Sequence, residues 1–213
     1  MAPFRNGGDS EVNSLDDAAA ALIAVGREAF ANGWVPATSG NFSMRVGEDV
    51  IAVTVSGSHK GRLAREDIMA VHLSGRPLED KRPSAETALH LQLYRCDPDV
   101  HAVLHTHSVN ATVLSRLVGS VLVLEELEVL KAFAGVDTHQ CRLDIPVFEN
   151  DQDVERLSRQ VEEYLMIHAP VPGYLIAGHG LYTWGRSLAE ALRHLEAFEF
   201  LFQCELEMRR MGS

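Results

Sequence analysis

An apolar segment that ends in two alternating histidines constrains the fold of this chain more than any other feature. It runs over residues 100–107, Val-His-Ala-Val-Leu-His-Thr-His. Side chains alternate between the two faces of a β-strand, so His105 and His107 are expected to point the same way. A second apolar run, residues 174–177, leads through a glycine to His179. We predict two strands whose ends bring the three histidines together at one edge of a sheet.

Three histidines with one open coordination position are typical of a catalytic rather than a structural zinc ion. Imidazole and oxygen ligands also suit iron, nickel, cobalt or manganese, so other divalent metals stay open. Histidines two residues apart also occur at the solvated ends of strands. The apolar runs before the histidines favour the metal site. We predict one Zn²⁺ per subunit, bound by His105, His107 and His179.

Length and composition are sufficient for one globular domain. The chain has 213 residues, of which 46% are hydrophobic, and no linker rich in proline, glycine or serine divides it. Such a chain can bury a sizeable core. We predict a single domain over residues 1–213, with residues 1–13 as a flexible tail. The net charge of -11 argues against a nucleic-acid or anionic-membrane partner.

The cysteines and the N-terminal residues favour a cytoplasmic location. Cys96, Cys141 and Cys204 are odd in number and widely spaced, which is not typical of a disulfide framework or a thiolate zinc site. The first dozen residues are polar and lack the apolar stretch of a signal peptide. No apolar run approaches the ~20 residues that span a bilayer. We therefore expect a soluble cytoplasmic protein.

The periodicity of apolar residues predicts alternating helices and strands. Residues 14–17 resemble a capping box that opens a first helix, and Asn32-Gly33 is a stop signal. The predicted α/β fold is a mixed sheet covered by helices on both faces. Further helices are expected near 83–94, 108–117, 125–133, 151–167 and 187–208, and strands near 41–46, 50–55, 68–73, 100–107, 121–124 and on both sides of His179.

Three short segments are typical of loops that bind an anion. Residues 38–41 and 56–61 place small polar residues around glycines, and Lys60 adds a positive charge. Ser84 follows Pro83 at the predicted cap of a helix, where free N–H groups favour an anion. Each segment alone is also compatible with an ordinary turn. Around one metal site, together they indicate a phosphate site.

The motifs Ser-Gly-Asn-Phe-Ser at 39–43, Ser-Gly at 56–57, Pro-Ser-Ala-Glu at 83–86, His-Thr-His at 105–107 and His-Gly at 179–180 resemble those of the class II aldolase/adducin family. The resemblance implies a single three-layer domain with a central mixed, mainly antiparallel sheet. It also implies a sugar-phosphate substrate and a homotetramer with active sites at subunit boundaries. The phosphate contacts that it implies are Ser39, Gly40, Asn41, Ser56, Gly57, Lys60 and Ser84.

Segments 56–61, 128–132 and 179–185 resemble a dehydratase branch of this family. The resemblance implies zinc-dependent dehydration of 5-methylthio-D-ribulose 1-phosphate to 5-methylthio-2,3-dioxopentyl phosphate, in methionine salvage. This reaction needs a Lewis acid at the C2 carbonyl and C3 oxygen, and a carboxylate that takes the C3 proton and protonates the departing C4 hydroxyl. By resemblance, that carboxylate is Glu128.

The choice of carboxylate has alternatives. Glu125, Glu126 and Glu128 are also compatible with solvated acids at the start of a helix. Glu86 is a possible second carboxylate, because the matching glutamate of the aldolase branch is the catalytic acid/base and can touch the metal. It can instead serve only to orient a zinc ligand.

Two other functions are compatible with the same motifs. A class II aldolase or 4-epimerase, of the L-fuculose 1-phosphate or L-ribulose 5-phosphate type, shares the metal and phosphate sites. Those relatives use a tyrosine near the C-terminus, whereas the last tyrosine here is Tyr182. A metal-free scaffold of the adducin type is the other alternative, and the presence of all three histidines disfavours it.

Overall fold

The computed structural model describes residues 14–212, and the expected tail at residues 1–13 lies outside this range. One sheet of eight strands carries helices on both of its faces. The strands are β1 (Asn41–Arg45), β2 (Val50–Thr54), β3 (Ile68–His72), β4 (Ala102–Thr106), β5 (Val121–Glu125), β6 (Arg142–Phe148), β7 (Gly173–Ile176) and β8 (Gly180–Gly185). The helices are α1 (Leu15–Ala31), α2 (Thr87–Cys96), α3 (Val109–Leu117), α4 (Val154–Ile167) and α5 (Leu188–Gly212).

The sheet confirms the predicted mixed, mainly antiparallel architecture. Its strand order is β3-β2-β1-β4-β8-β7-β6-β5. Strands β6 and β7 are parallel, and the other paired strands in the described part of the chain are antiparallel. Strand β4 lies between β1 and β8, with His105 opposite Asn41 on one side and Tyr182 on the other. The segment with the two histidines is therefore at the centre of the sheet.

Helices cover both faces because the central strands are apolar on both faces. Ala102 and Leu104 face a core formed with α1, α3 and α5. Val103 faces a second core formed with α2 and α4. His105 is two residues after Val103 and lies on this second face, stacked on Tyr182.

The first helix begins and ends where the sequence predicts. The backbone N–H of Asp17 donates to Ser14 Oγ at 3.1 Å, and Asn32 is the C-cap. A side-chain cap of this kind is worth about 0.5–2 kcal/mol. Leu22 is fully buried on the inner face of α1. Burial of one leucine side chain contributes about 1.5–3 kcal/mol, so the helix is held mainly by its apolar face.

The predicted start of the second helix was wrong. The second helix starts at Thr87 with Glu86 as its N-cap, so Ser84 is not the cap. Pro83 forms an isolated bridge with Val55, which keeps the chain extended there. Ser84 instead accepts a hydrogen bond from the Glu86 N–H at 3.3 Å, within the turn that precedes the helix.

The prediction of a helix over residues 125–133 was also wrong. Residue 125 still belongs to β5, and only Glu128–Ala132 form a short 3₁₀ helix. Glu126 has a φ of 57°, in the left-handed region that ends regular structure. Strand β6 was not predicted at all, because Pro146 and the charges of Arg142 and Asp144 hide its pattern.

The described residues contain three free cysteines, Cys96, Cys141 and Cys204. None of the helices in residues 14–212 is long and apolar enough to cross a membrane.

Candidate metal centre

The three histidines lie together where two adjacent central strands meet. His105 belongs to β4, His107 follows directly after it, and His179 lies in the turn between β7 and β8. Strand β4 runs towards this point and β8 runs away from it, with Thr106 opposite Leu181. We call this end of the sheet the histidine end.

Two glycines allow the backbone to pass close to these histidines. A Cβ atom on Gly180 would lie 1.9 Å from the carbonyl oxygen of Thr106, so no other residue fits without moving a strand. Gly40 has a φ of 79°, and a Cβ there would lie 2.7 Å from the carbonyl oxygen of His105. The conformation and the closeness both require glycine at Gly40.

The Nε2 atoms of the three histidines form a small triangle. The distances are 2.8 Å between His107 and His105, 3.1 Å between His179 and His107, and 3.3 Å between His105 and His179. Ligand nitrogens at about 2.0–2.1 Å from a tetrahedral Zn²⁺ are about 3.3 Å apart. The triangle is therefore close to the size that one such ion requires.

Glu86 completes the group as a fourth donor. Its Oε1 lies 2.9 Å from His179 Nε2 and 3.6 Å from His105 Nε2. One donor atom from each of the four side chains lies within 4.8 Å of the others. The other oxygen, Oε2, accepts a hydrogen bond from Asn41 Nδ2 at 2.7 Å. The carboxylate is thus held with one oxygen towards the histidines.

The charge states of these groups suit a divalent cation. His105 Nδ1 lies 2.9 Å from the carbonyl oxygen of Leu181, which can only accept, so Nδ1 carries the proton and Nε2 carries the lone pair. Burial lowers the pKa of His105, and it lowers the pKa of His107 to about 3. Burial works in the opposite direction on Glu86, but the neighbouring imidazoles of His105 and His179 hold its pKa well below the usual value. The neutral imidazoles of His105 and His107 and the ionised carboxylate of Glu86 are in the states that bind a metal.

Helix α3 connects two of the histidines. It begins directly after His107, with Ser108 as the N-cap. Thr112 Oγ1 donates to the carbonyl oxygen of His179 at 3.1 Å, and Ser115 Oγ accepts from the Gly178 N–H at 3.0 Å. The same helix therefore holds the position of His107 and of the turn that carries His179. Sequence analysis missed Thr112 and Ser115, whose only signal is a pair of hydroxyls three residues apart on one helix face.

A stack of rings supports His105 from behind. Its ring lies on Tyr182 with the centroids 3.9 Å apart, and Tyr182 lies on Tyr174 at 5.0 Å. The three residues are cross-strand neighbours on β4, β8 and β7. All three are fully buried, so the imidazole has little freedom to turn.

Two residues predicted to bind phosphate are occupied by internal contacts. Asn41 is buried, and its Oδ1 accepts a hydrogen bond from Thr54 while its Nδ2 holds Glu86. Lys60 is 1% exposed, and its Nζ donates to the carbonyl oxygens of Thr38 and Ser58. Burial lowers the pKa of Lys60 to about 8. Lys60 thus ties the two predicted phosphate loops to each other.

The remaining predicted phosphate residues occupy different positions. Ser56 and Ser84 line a cavity together with Glu86 and His179. Ser39 Oγ donates to the carbonyl oxygen of Pro36. Gly40 and Gly57 both have positive φ, which fits tight turns beside the site.

Within one chain, Glu128 lies at the end of the sheet opposite the histidines. Strand β6 runs parallel to β7, towards the histidine end, and β5 runs antiparallel to β6. The chain therefore leaves β5 at the opposite end of the sheet, where the 3₁₀ helix with Glu128 follows. A strand of five residues is about 16 Å long. The Glu128 side chain is exposed and contacts Lys131 and His139, and the hydrogen bond from Lys131 lowers its pKa.

Comparison with known proteins shows which family this chain is similar to. The model of the class II aldolase and adducin N-terminal domain matches residues 20–206. A methylthioribulose-1-phosphate dehydratase of Methylococcus capsulatus is 58% identical over 190 residues, which are 89% of this chain and 93% of the relative. One of Pseudomonas aeruginosa is 56% identical over 189 residues, 88% of this chain and 92% of the relative.

A solved structure agrees with the sequence relatives. The L-fuculose-1-phosphate aldolase of Thermus thermophilus superimposes with a TM-score of 0.75 at 29% identity, over 94% of this chain and all of the aldolase. The family model covers most of this chain, and the two dehydratases are 58% and 56% identical to it. The chain therefore belongs to the class II aldolase and adducin family, and its sequence groups it with the methylthioribulose-1-phosphate dehydratases of that family.

Proposed function

We propose that this protein is a lyase that removes water from 5-methylthio-D-ribulose 1-phosphate to give 5-methylthio-2,3-dioxopentyl phosphate, a step of methionine salvage. The observation that carries the proposal is the cluster of His105, His107, His179 and Glu86 in a chain 58% identical to a named methylthioribulose-1-phosphate dehydratase. We place this activity in the cytoplasm and in one domain.

The resident metal is proposed to be Zn²⁺, held by His105, His107 and His179. The triangle of Nε2 atoms and the neutral state of His105 support this ligand set. Glu86 is the fourth ligand, or the ligand that substrate oxygens would replace. When bound, the ion supplies a Lewis acid for the substrate carbonyl.

The chain itself has to move one proton twice. The C3–H bond breaks and its proton passes to a carboxylate, while the electron pair is delocalised towards the C2 carbonyl. The C4–O bond then breaks with its electron pair, and the hydroxyl leaves as water after taking the proton from the same carboxylic acid. The enol that remains becomes the 2,3-diketone. We assign the proton transfer to Glu128, whose exposed carboxylate would exchange its contact with Lys131 for the substrate proton.

The position of Glu128 supports a site shared between two copies of the chain. A carboxylate that transfers protons must come within about 3 Å of the reacting carbon and oxygen. In one copy Glu128 lies at the end of the sheet opposite the histidines. We therefore propose that it serves the histidine cluster of a neighbouring copy, in a homotetramer with its sites at subunit boundaries.

The substrate phosphate is proposed to bind at the loops that contain Ser39, Gly40, Ser56, Gly57 and Ser84. Ser56 and Ser84 support this, because they line the same cavity as Glu86 and His179. Lys60 and Asn41 contribute indirectly to this arrangement. Lys60 adds positive charge and holds the loops together, while Asn41 orients Glu86. Binding the phosphate there would place the reacting carbons beside the histidines.

A sugar-phosphate aldolase or 4-epimerase is the second candidate. The contact of Glu86 with His179 at 2.9 Å favours it, because Glu86 is then close enough to act as the acid/base group. The structural similarity to an L-fuculose-1-phosphate aldolase also supports it. The higher identity to the dehydratases favours the first candidate.

The test is a turnover assay of the zinc-loaded protein with three substrates. 5-Methylthio-D-ribulose 1-phosphate is assayed beside L-ribulose 5-phosphate and L-fuculose 1-phosphate, and the diketone product is measured. We expect turnover of the methylthio substrate alone, lost on chelation and regained with added zinc. Activity confined to one of the other two sugars would show instead that the protein is an epimerase or an aldolase.

A further inference from the structure

The cavity at the histidine end has one arginine in its wall. It measures about 420 Å³, and Glu86 and His179 line it, so it adjoins the candidate metal centre. Small-molecule sites are typically about 300–1,000 Å³ in volume. Arg82 is the only lysine or arginine among the described residues that line this cavity. The described lining therefore offers an anionic ligand a single basic side chain.

The backbone places Arg82 beside both serines of the proposed phosphate site. Ser56 and Ser84 line the same cavity as Arg82. The N–H of Ser56 donates to the carbonyl oxygen of Arg82 at 3.4 Å, and the bridge between Val55 and Pro83 holds the two segments side by side. Ser84 follows Arg82 by two positions in the sequence. An anion held by the two serines would therefore lie close to Arg82.

The guanidinium group of Arg82 is available to a ligand. The residue is exposed, and its side chain makes no hydrogen bond or ion pair with any other residue in the described range 14–212. The neighbouring Lys81 differs, because its Nζ pairs with Glu79 at 2.9 Å and donates to the carbonyl oxygen of Ile68 at 3.1 Å. A guanidinium presents its donors in a planar fork that matches two oxygens of a phosphate. Arg82 can therefore bind a phosphate without first breaking an internal contact.

The other basic residue of these loops, Lys60, is not available for direct contact. It is 1% exposed, and its Nζ donates to the carbonyl oxygens of Thr38 and Ser58. The chain as a whole has a net charge of -11, so its overall field repels an anionic substrate. A phosphate therefore needs a local cation, which Arg82 can supply.

The acids of the cavity already have partners other than Arg82. The carboxylate of Asp151 pairs with Arg156 Nε at 2.5 Å. Glu86 accepts a hydrogen bond from Asn41 through Oε2 and turns Oε1 towards the histidines. The positive charge of Arg82 is thus not cancelled by an ion pair within the cavity. Neutral polar side chains in the same lining belong to Asn150 and Gln152.

We propose that Arg82 binds the phosphate group of the substrate and determines the preference for a phosphorylated sugar. The inference rests on the proposed function and adds a cation to its phosphate site. Hydrogen bonds between a guanidinium and a phosphate are charge-assisted, and two can form in parallel. The phosphate does not change during the reaction, so this contact is equally strong in the substrate complex and in the transition state. Arg82 should therefore affect KM and leave kcat largely unchanged.

The test replaces Arg82 and measures kcat and KM of the zinc-loaded protein for 5-methylthio-D-ribulose 1-phosphate. Arg82→Met keeps an unbranched side chain but removes the charge and the donors. We expect KM to rise about tenfold or more, with kcat changed less than about twofold. Arg82→Lys restores the charge without the fork, so it should recover part of the loss. An unchanged KM in Arg82→Met, or a loss confined to kcat, would overturn the assignment.

Arg76→Met is the matched control. Arg76 is also exposed, and it follows β3 at the end of the sheet opposite the histidines. This variant changes the net charge by the same amount as Arg82→Met but lies outside the cavity. We expect its KM to stay within about twofold of the unmodified protein. An equal rise of KM in both variants would show that only the overall charge matters, which would overturn the specific role of Arg82.

A binding measurement separates this inference from the proposed function. Inorganic phosphate is titrated into the zinc-loaded unmodified protein and into Arg82→Met, and Kd is measured by calorimetry. We expect Kd to be about tenfold higher for Arg82→Met, and equal values would overturn the assignment of Arg82. Failure of the unmodified protein to turn over the methylthio substrate would overturn the proposed function. Weaker phosphate binding by Arg82→Met would in that case still support Arg82 as the phosphate-binding residue.

Discussion

The two ends of the sheet carry two carboxylates in opposite environments. At the histidine end, Glu86 is held by Asn41 and His179, and its surroundings are largely buried. At the other end, Glu128 lies on a short 3₁₀ helix after an edge strand, with its carboxylate in solvent beside Lys131. The first group is fixed before any ligand binds, and the second is not.

This difference separates two tasks of one catalytic site. Binding a metal needs donors fixed in advance, because ordering them on binding would cost conformational entropy. The histidine end provides these donors within one chain. In the proposed mechanism, Glu128 of a neighbouring copy transfers the proton, so this task would depend on assembly. The variants below test whether the two ends can be uncoupled.

Loss of a histidine ligand has the largest expected effect. His179→Ala removes one corner of the Nε2 triangle and the imidazole that lies 2.9 Å from Glu86 Oε1. We expect metal affinity to fall by roughly 100-fold or more, and activity to be lost with it. Metal content after dialysis and turnover are the measurements. Full metal content in this variant would contradict the assignment of His179 as a ligand.

Replacement of the exposed acid should separate activity from metal binding. Glu128→Gln keeps the size of the side chain but removes its ability to take a proton. We expect kcat to fall by about 10²–10⁴-fold, with metal content unchanged. Turnover and metal analysis of the same preparation measure both quantities. Retained activity would transfer the catalytic role to Glu86.

Mixed oligomers test whether the two ends act between copies. When Glu128→Gln and His179→Ala subunits are unfolded together and reassembled in equal amounts, a cyclic tetramer that shares its sites would regain about a quarter of the wild-type sites. If Glu128 acted within its own chain, the mixture would stay as inactive as its components. Wild-type protein taken through the same procedure is the control for recovery.

Removal of a hydroxyl group on α3 has the smallest expected effect on metal binding. Ser115→Ala removes the acceptor of the Gly178 N–H and loosens the turn with His179. We expect metal affinity to weaken about tenfold, measured by competition with a chelator. Ser158→Ala on α4 removes a similarly buried hydroxyl away from the cluster, so it should leave metal affinity unchanged. Equal affinities of the two variants would show that α3 does not position His179.

Local sequence patterns predicted most of the elements correctly. The alternation around His105 and the apolar run before His179 gave β4, β7 and β8, and the cap at Ser14 gave the start of α1. These features depend on neighbouring residues only, so the sequence reveals them directly. Strand β6 was missed because Pro146 and the charges of Arg142 and Asp144 hide its alternating pattern.

The site itself was predictable only in part. The His-x-His spacing and the apolar run before His179 identified the three histidines as candidate ligands, and the family resemblance pointed to Glu86 and Glu128. The hydrogen bond between Asn41 and Glu86 joins residues that are 45 positions apart in the sequence, so no local pattern predicts it. Lys60 was expected to face a phosphate, yet its burial against Thr38 and Ser58 turns it into a link between two loops.

The sequence by itself identified the three histidines as candidate metal ligands, because imidazole spacing, glycines and apolar runs are properties of neighbouring residues. The tertiary structure decided which of the candidate residues lie close enough to form one site. Strand order places His105 and His179 on adjacent strands, and strand direction places Glu128 at the far end of the same chain. Order and direction arise from packing between distant segments, which no local pattern encodes.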